Sequence, residues 1–137
     1  MLKNYNLLKT IISFLIPYVI LYAIYIQLNG EVSPGGGFQA GVIFATGLIA
    51  YDLIFGKKEL QKYFSTKSLV ICANLGVVLY ASTGAIPLIF NENFLNYSAM
   101  AQNPITGQHI GIFLIEIGVG ITVSSVMILI YSLLRDD

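Results

Sequence analysis

Residues 34–55 read PGGGFQAGVIFATGLIAYDLIF, a long apolar run that opens on one proline and three glycines. Asp52 is its one charged residue. About 20 predominantly apolar residues are enough to cross the hydrocarbon core of a bilayer as a helix. A continuous run of this length favours a helix over a barrel strand, because in lipid a single segment satisfies its own backbone hydrogen bonds only as a helix. Residues 34–55 are therefore predicted to span a membrane.

Three further runs have the same character. The predicted spans are residues 8–28, 34–55, 68–90 and 110–134, each bound being approximate. Of the 137 residues, 56% are hydrophobic and 10% are charged, against about 25% charged in a typical soluble domain. We therefore predict an all-α integral membrane protein, a bundle of four transmembrane helices that forms a single membrane domain over residues 1–137. The first run lacks the small-residue exit of a cleaved signal peptide, so we expect a retained helix.

The basic residues predict the orientation of these helices. All seven lysines and arginines lie before the first span, between the second and third spans, or after the fourth: Lys3, Lys9, Lys57, Lys58, Lys62, Lys67 and Arg135. With four spans, these three segments share one side of the membrane. The positive-inside rule makes that side cytoplasmic. We therefore predict a multi-pass protein of the cell membrane with both termini in the cytoplasm.

The glycines at the start of the second span do not fit a nucleotide site. A phosphate-binding loop needs Gly-Lys-Ser/Thr after its glycines, and this chain continues with Phe38. Ser33 suits a helix N-cap and Pro34 suits the first helical position. Gly37, Gly41 and Ala45 recur every four residues, a spacing that lets two helix backbones approach closely in lipid. Two interpretations stay open: a helix-packing seam, or a bent, partly unwound helix start that lines a hydrated path.

Acidic groups inside the spans are the candidate functional residues. Glu116 lies about a third of the way into the fourth span, and an acid at the bilayer centre costs about 2.5–3.5 kcal/mol. It must therefore be protonated, hydrated or paired, which predicts either a role in an ion or proton path or a hydrogen bond between subunits. His109, seven residues earlier and about 10 Å along the axis, is either an interfacial residue or a proton relay. Asp52 is either an interfacial acid near Lys57 and Lys58 or a path residue.

The remaining polar residues predict no enzyme. No Ser/His/Asp set and no pair of catalytic carboxylates can be assembled, and one Cys72 with one histidine excludes a zinc site. We therefore expect no cofactor and no metal. Asn74, in the third span, is expected to be buried and hydrogen-bonded to a neighbouring helix.

Two motifs carry a resemblance to a known family. With PGGGFQAG at residues 34–41 and GQHIGIFLIEIGVG at residues 107–120, the chain resembles the B subunit of the multisubunit Mrp-type (Mnh-type) sodium/proton antiporter. The resemblance extends over nearly the whole chain. The matching motif residues are Pro34, Gly35, Gly36, Gly37 and Phe38, followed by Gly41, and then His109 and Glu116.

The resemblance implies a function and a set of partners. It implies a small membrane subunit of a sodium/proton antiporter that serves pH homeostasis. Such a subunit would contribute to assembly of the complex and to its ion or proton path. The implied partners are other membrane subunits, among them large subunits similar to those of respiratory complex I, with Na⁺ and H⁺ as transported ions and no nucleic acid. Many members carry a histidine shortly before the glycines, where this chain has Asn29, Gly30 and Glu31.

Two alternatives stay open beside this function. One is a stand-alone four-helix, proton-coupled small transporter. The other is a purely structural subunit, for example of a related membrane-bound hydrogenase-type complex. The polar stretch 91–108 is a further candidate contact with a partner outside the membrane.

Overall fold

The computed structural model of the protein describes residues 6–30 and 34–135. In this part of the chain there are helices, turns and loops but no β-strand. The helices are α1 (Asn6–Leu28), α2 (Gly37–Phe55), α3 (Lys57–Tyr63), α4 (Thr66–Ile89) and α5 (Pro104–Leu134), with a short 3-10 helix at Tyr97–Met100. All of these except α3 and the 3-10 helix are long and apolar enough to cross a membrane. The prediction of an all-α protein with four spans is therefore confirmed, whereas the orientation of the termini stays a prediction.

Two helix starts differ from the predicted ones. The prediction that Pro34 is the first residue of a helix is wrong, because α2 begins at Gly37 and Gly36 has extended dihedrals of φ −153° and ψ −164°. The predicted cap, Ser33, lies outside the described residues. The fourth span begins at Pro104, before the predicted residue 110, because the Asn103 side chain accepts a hydrogen bond from the Ile105 N–H at 3.0 Å and caps it. A capping residue followed by proline at the first helical position therefore occurs at α5.

The four long helices pack in the order α1, α2, α5, α4. Each packs closely on the next, whereas α1 touches α5 at only a few positions, and α4 makes no extensive contact with α1 or α2 within the described residues. Glycines mark the contact between α4 and α5: a Cβ added to Gly76 would lie 2.7 Å from the Gly118 carbonyl oxygen. The Thr122 hydroxyl donates to that same carbonyl at 2.9 Å. The helices therefore form a row, and both α1 and α4 are edge helices.

One end of the row contains the described basic residues. Arg135, just after α5, donates to the Asp52 carboxylate near the end of α2, and the Lys9 ammonium lies 5.3 Å from the centre of the Phe55 ring. Next to them, an apolar core joins α2, α3, α4 and α5 through Ala45, Leu48, Leu60, Leu69 and Ile128. The short helix α3 belongs to this end, because Leu60 is only 5% exposed. The lysines on α3 therefore lie at the same end as Lys9 and Arg135.

At the other end, the segment between α4 and α5 folds back onto both helices. The Leu95 N–H donates to the Gly84 carbonyl at 3.2 Å. Tyr97, only 7% exposed, packs its ring against Gly111 of α5. This burial, with a smaller contribution from Tyr80, raises the pKa of the Tyr97 hydroxyl above its ordinary value of 10.0, so the phenol is neutral. The segment predicted as a polar loop therefore packs on the chain's own helices.

Candidate functional site

The carboxyl group of Glu116 lies against backbone that carries no side chain. A Cβ added to Gly36 would be 3.0 Å from Glu116 Oε1, and one added to Gly30 would be 2.8 Å from the same oxygen. The Oε2 atom of Glu116 is fully buried. The carboxyl group thus occupies space that side chains at Gly30 and Gly36 would otherwise fill. Glycines at these two positions allow α5 to present an acid to the α1–α2 connection.

The start of α2 next to this carboxyl is not helical. Pro34, Gly35 and Gly36 precede the helix, and Gly35 has φ +129°, a conformation that side-chain-bearing residues rarely adopt. The Gly36 carbonyl accepts the first hydrogen bond of α2 from the Ala40 N–H at 3.0 Å. This geometry provides bare backbone beside an acid, as an unwound helix start requires. Whether water fills the space stays a prediction.

The small residues of α2 bring its backbone against α5. A Cβ on Gly37 would lie 2.8 Å from the carbonyl carbon of Glu116, and a Cβ on Gly41 would lie 2.8 Å from the Gly120 oxygen. Ala45 is only 1% exposed. Phe38, in contrast, is 66% exposed, so its prediction as a helix-packing residue is wrong for contacts within this chain. It follows that Glu116 lies level with the first residue of α2, about 27 Å along that helix from Phe55.

Gln27, near the end of α1, is a polar member of this site that the sequence reasoning missed. Its Oε1 faces the Cα of Gly120, one helical turn after Glu116. Its Nε2 is buried and has no hydrogen-bond partner among the described residues. The available signal was a single amide close to the end of a mostly apolar run.

A cavity of about 200 Å³ adjoins Gln27 where α1 and α5 diverge over α2. Its lining is mostly apolar or small: Ala23, Ile24, Gln27, Ala40, Gly41, Phe44, Ile117, Gly120, Ile121 and Ser124. The Ser124 hydroxyl donates to the Ile121 carbonyl at 3.1 Å, so it is already satisfied. The volume exceeds that of one water, about 30 Å³. The Gln27 amide is therefore the group through which this cavity can bind a polar ligand or water.

The other two predicted path residues lie away from Glu116. Asp52 is only 2% exposed and pairs with Arg135. Asp52 lies fifteen residues after Gly37, or about 22 Å along α2. His109 is exposed and lies two turns before Glu116 on α5. The structure therefore brings Glu116 together with Gly30, Gly36 and Gly37, with Gln27 beside Gly120 one helical turn further along α5, and not with the other two titratable candidates.

Two further observations concern metal binding and the polar residue Asn74. Among the described residues there is no group of three or more His, Cys, Asp and Glu side chains able to hold a metal ion. Asn74 is exposed on α4, so the prediction that it is buried is wrong for contacts within this chain.

Fold and site together define a multi-pass membrane protein in which an acid from one span faces bare backbone of the connection between two others. Ionisable residues within membrane spans typically mark ion or substrate pathways. Residues 7–129 match the family model described as a domain related to the MnhB subunit of Na⁺/H⁺ antiporter. The chain belongs to this MnhB family.

Two relatives, each described by name as an antiporter subunit, mnhB2, are similar along most of their length. The protein from Staphylococcus haemolyticus (strain JCSC1435) is 30% identical over 135 residues, which cover 95% of this chain and 94% of the relative. The protein from Staphylococcus aureus (strain Newman) is 28% identical over 131 residues, covering 93% and 92% respectively. The family predicted from the two glycine-containing motifs is therefore confirmed.

Proposed function

We propose that this chain serves the assembly of a cation/proton antiporter and supplies Glu116 as a group that takes up and releases protons along its ion route. Membership of the MnhB family makes the chain a small membrane subunit of a multisubunit Na⁺/H⁺ antiporter. The proposal adds a residue and a role to that function. The observation that carries it is the position of the Glu116 carboxyl, whose Oε2 atom is buried, against the glycine backbone before and at the start of α2.

The surroundings of Glu116 support exchange of a proton. A buried ionised carboxylate is costly in an apolar medium, whereas a protonated one is not. A cation beside the Glu116 carboxyl therefore favours loss of its proton, and departure of the cation favours proton uptake. Backbone without side chains allows a water molecule or a cation to approach the carboxyl without displacing a side chain. Gln27 supplies a further polar group within the same junction of α1, α2 and α5.

The partners belong to the same proposal. The relatives are named as antiporter subunits, which implies other membrane subunits in one complex. We infer that larger subunits similar to those of respiratory complex I complete the route, with Na⁺ and H⁺ as the ions moved.

The substitution Glu116→Gln tests the proposal, because it keeps the shape of the side chain and removes its titration. The complex is purified through a tag on this chain, its subunits are identified, and Na⁺-dependent proton movement is measured in inverted membrane vesicles. The expected result is unchanged composition with exchange reduced at least tenfold. Glu92→Gln is the matched control, since Glu92 is exposed outside the long helices, and it should exchange like the wild type. Normal exchange by Glu116→Gln at every pH would remove Glu116 from the route.

A purely structural role is the second candidate, and the tight glycine contacts of α2 and α4 with α5 favour it. In that case Glu116→Gln loses subunits from the complex, and exchange falls only in proportion to the complex lost. A stand-alone transporter would instead show exchange with the purified chain alone in liposomes.

A further inference from the structure

The outward face of α4 contains a polar side chain inside a membrane-spanning helix. Asn74 is exposed. It lies two residues before Gly76, which packs on α5, and two residues correspond to about 200° around a helix. Asn74 therefore faces away from the row of helices, on its α4 edge. It lies eight residues after Thr66, the first residue of α4, or about 12 Å along the axis.

The amide of Asn74 has no hydrogen bond within the part of the chain that the structure describes. The hydroxyls of the same helix differ. The Thr83 and Ser82 hydroxyls donate to the Leu79 carbonyl at 2.8 and 3.1 Å. An asparagine amide carries two donors and an acceptor, and lipid tails offer neither donors nor acceptors. A lone chain in lipid would thus leave the Asn74 amide unsatisfied at a depth where this is costly.

The residues that share this face have the spacing of a helix-packing seam. The exposed positions alternate by four and three residues, and we call them the outer seam: Lys67, Ile71, Asn74, Val78, Ala81, Ala85 and Leu88. This is the spacing at which two helices pack with a left-handed crossing of about +20°. Ala81 and Ala85 keep the middle of the seam narrow, which lets a second helix approach.

We propose that the outer seam binds a transmembrane helix of a different subunit of the antiporter, and that this helix presents a hydrogen-bonding side chain to Asn74. The proposal rests on membership in a multisubunit antiporter and does not depend on the role of Glu116. A polar residue at one seam position fixes the register of the packed helices. The partner helix is therefore expected to carry Ser, Thr, Asn, Gln or an acid at the height of Asn74.

Lys67 distinguishes a different subunit from a second copy of this chain. It is exposed at one end of the outer seam. Two copies of this chain in one membrane have the same orientation, so a twofold contact through the seam places Lys67 against Lys67. Like charges facing each other at a helix interface oppose association. A different subunit can place an acidic or neutral residue opposite Lys67, while another of its side chains hydrogen-bonds Asn74.

Photo-crosslinking in the assembled complex identifies the occupant of the seam. A benzophenone amino acid is placed at Val78, in the middle of the seam, and in a second variant at Leu75, which is 59% exposed. Leu75 lies beside the seam, about 100° round the helix from Asn74 and about 60° from Val78. After irradiation of native membranes, adducts are identified by mass spectrometry. The expected adduct at Val78 contains another subunit that co-purifies with this chain, at a yield several-fold above that at Leu75. Adducts with a second copy of this chain, adducts with lipid alone, or equal yields at both positions would overturn the proposal.

Removal of the amide tests the hydrogen bond itself. Asn74→Leu should lower the fraction of the chain that elutes with the complex by about 3- to 30-fold, the range expected for one interhelical hydrogen bond in a membrane. Asn74→Gln should restore part of this loss. Leucine is favourable in lipid, so the amount of the Asn74→Leu chain in the membrane should not fall. A lower fraction in the complex then reports the loss of the contact with the partner helix. Unchanged assembly by Asn74→Leu would contradict the proposal.

Discussion

A single methyl group added at Gly37 should displace the helix that carries Glu116. The Cβ of Gly37→Ala would overlap the carbonyl oxygen of Glu116 and lie 2.8 Å from its carbonyl carbon. An ordinary contact of 3.4 Å is 0.6 Å longer than the distance to the carbon, and the oxygen is closer still, so α2 and α5 must separate by more than about 0.6 Å at this point. The atoms in the way belong to the backbone of a helix, so no side-chain rotation relieves the overlap.

The energetic consequence has two parts of opposite sign. Overpacking of a close contact costs about 1–3 kcal/mol, and exchanging glycine for alanine in a helix returns about 1 kcal/mol or less. Gly37→Ala is therefore expected to lower the stability of the complex by up to about 2 kcal/mol. Gly47→Ala is the matched control on the same helix, because its Cβ would first meet a side-chain atom, Cγ1 of Ile20, at 3.1 Å and no backbone atom.

The assay for this prediction is the thermal dissociation of the purified complex in mild detergent, combined with exchange in vesicles. Gly37→Ala should dissociate at a lower temperature and exchange more slowly than the wild type, whereas Gly47→Ala should match or exceed the wild type in dissociation temperature. If Gly37→Ala behaves like Gly47→Ala in both measurements, the close contact between the start of α2 and Glu116 is refuted.

The remaining predictions concern the other end of the row and the orientation of the chain. Asp52→Asn should destabilise the complex by up to about 3 kcal/mol, since loss of a buried partner leaves a charge uncompensated, with the cost reduced because the Arg135 side chain is 30% exposed. Glu59→Gln, which breaks an exposed ion pair on α3, should lower the dissociation temperature much less, because exposed ion pairs contribute little to stability. Equal thermal shifts for the two variants would contradict the assigned pairing. In a cysteine-free background, Asn93→Cys should react with a membrane-impermeant maleimide in intact cells and Lys58→Cys only after lysis. The reverse labelling would place the lysines outside the cell.

The spans of this protein could be predicted from its sequence because apolar length is a local property. The four runs and their basic flanks required no knowledge of tertiary contacts. Helix starts were predicted less well. The Pro34 prediction failed because Gly35 and Gly36 adopt extended or positive-φ conformations, and the earlier start of α5 depends on the Asn103 cap, a signal that is in the sequence but was not used.

The site was predictable only in part, because its residues meet through the order in which the helices pack. Glu116 stands out in the sequence as an acid in an apolar run, but its contact with Gly30 and Gly36 depends on α5 packing against α2. The same packing order explains two errors. Asn74 was expected to be buried, yet α4 is an edge helix with only one neighbouring span. Gln27 was overlooked because its significance lies in its position beside Gly120, a long-range contact that no sequence period reveals.

Infrared difference spectroscopy on the purified complex tests the central claim most directly. Spectra are recorded as sodium-free buffer is exchanged for sodium-containing buffer, for the wild type and for Glu116→Gln. Our account predicts a protonated-carboxyl band that sodium diminishes in the wild type and that is missing from the variant. A sodium-sensitive carboxyl band of the same size in both complexes would show that the proton is held elsewhere.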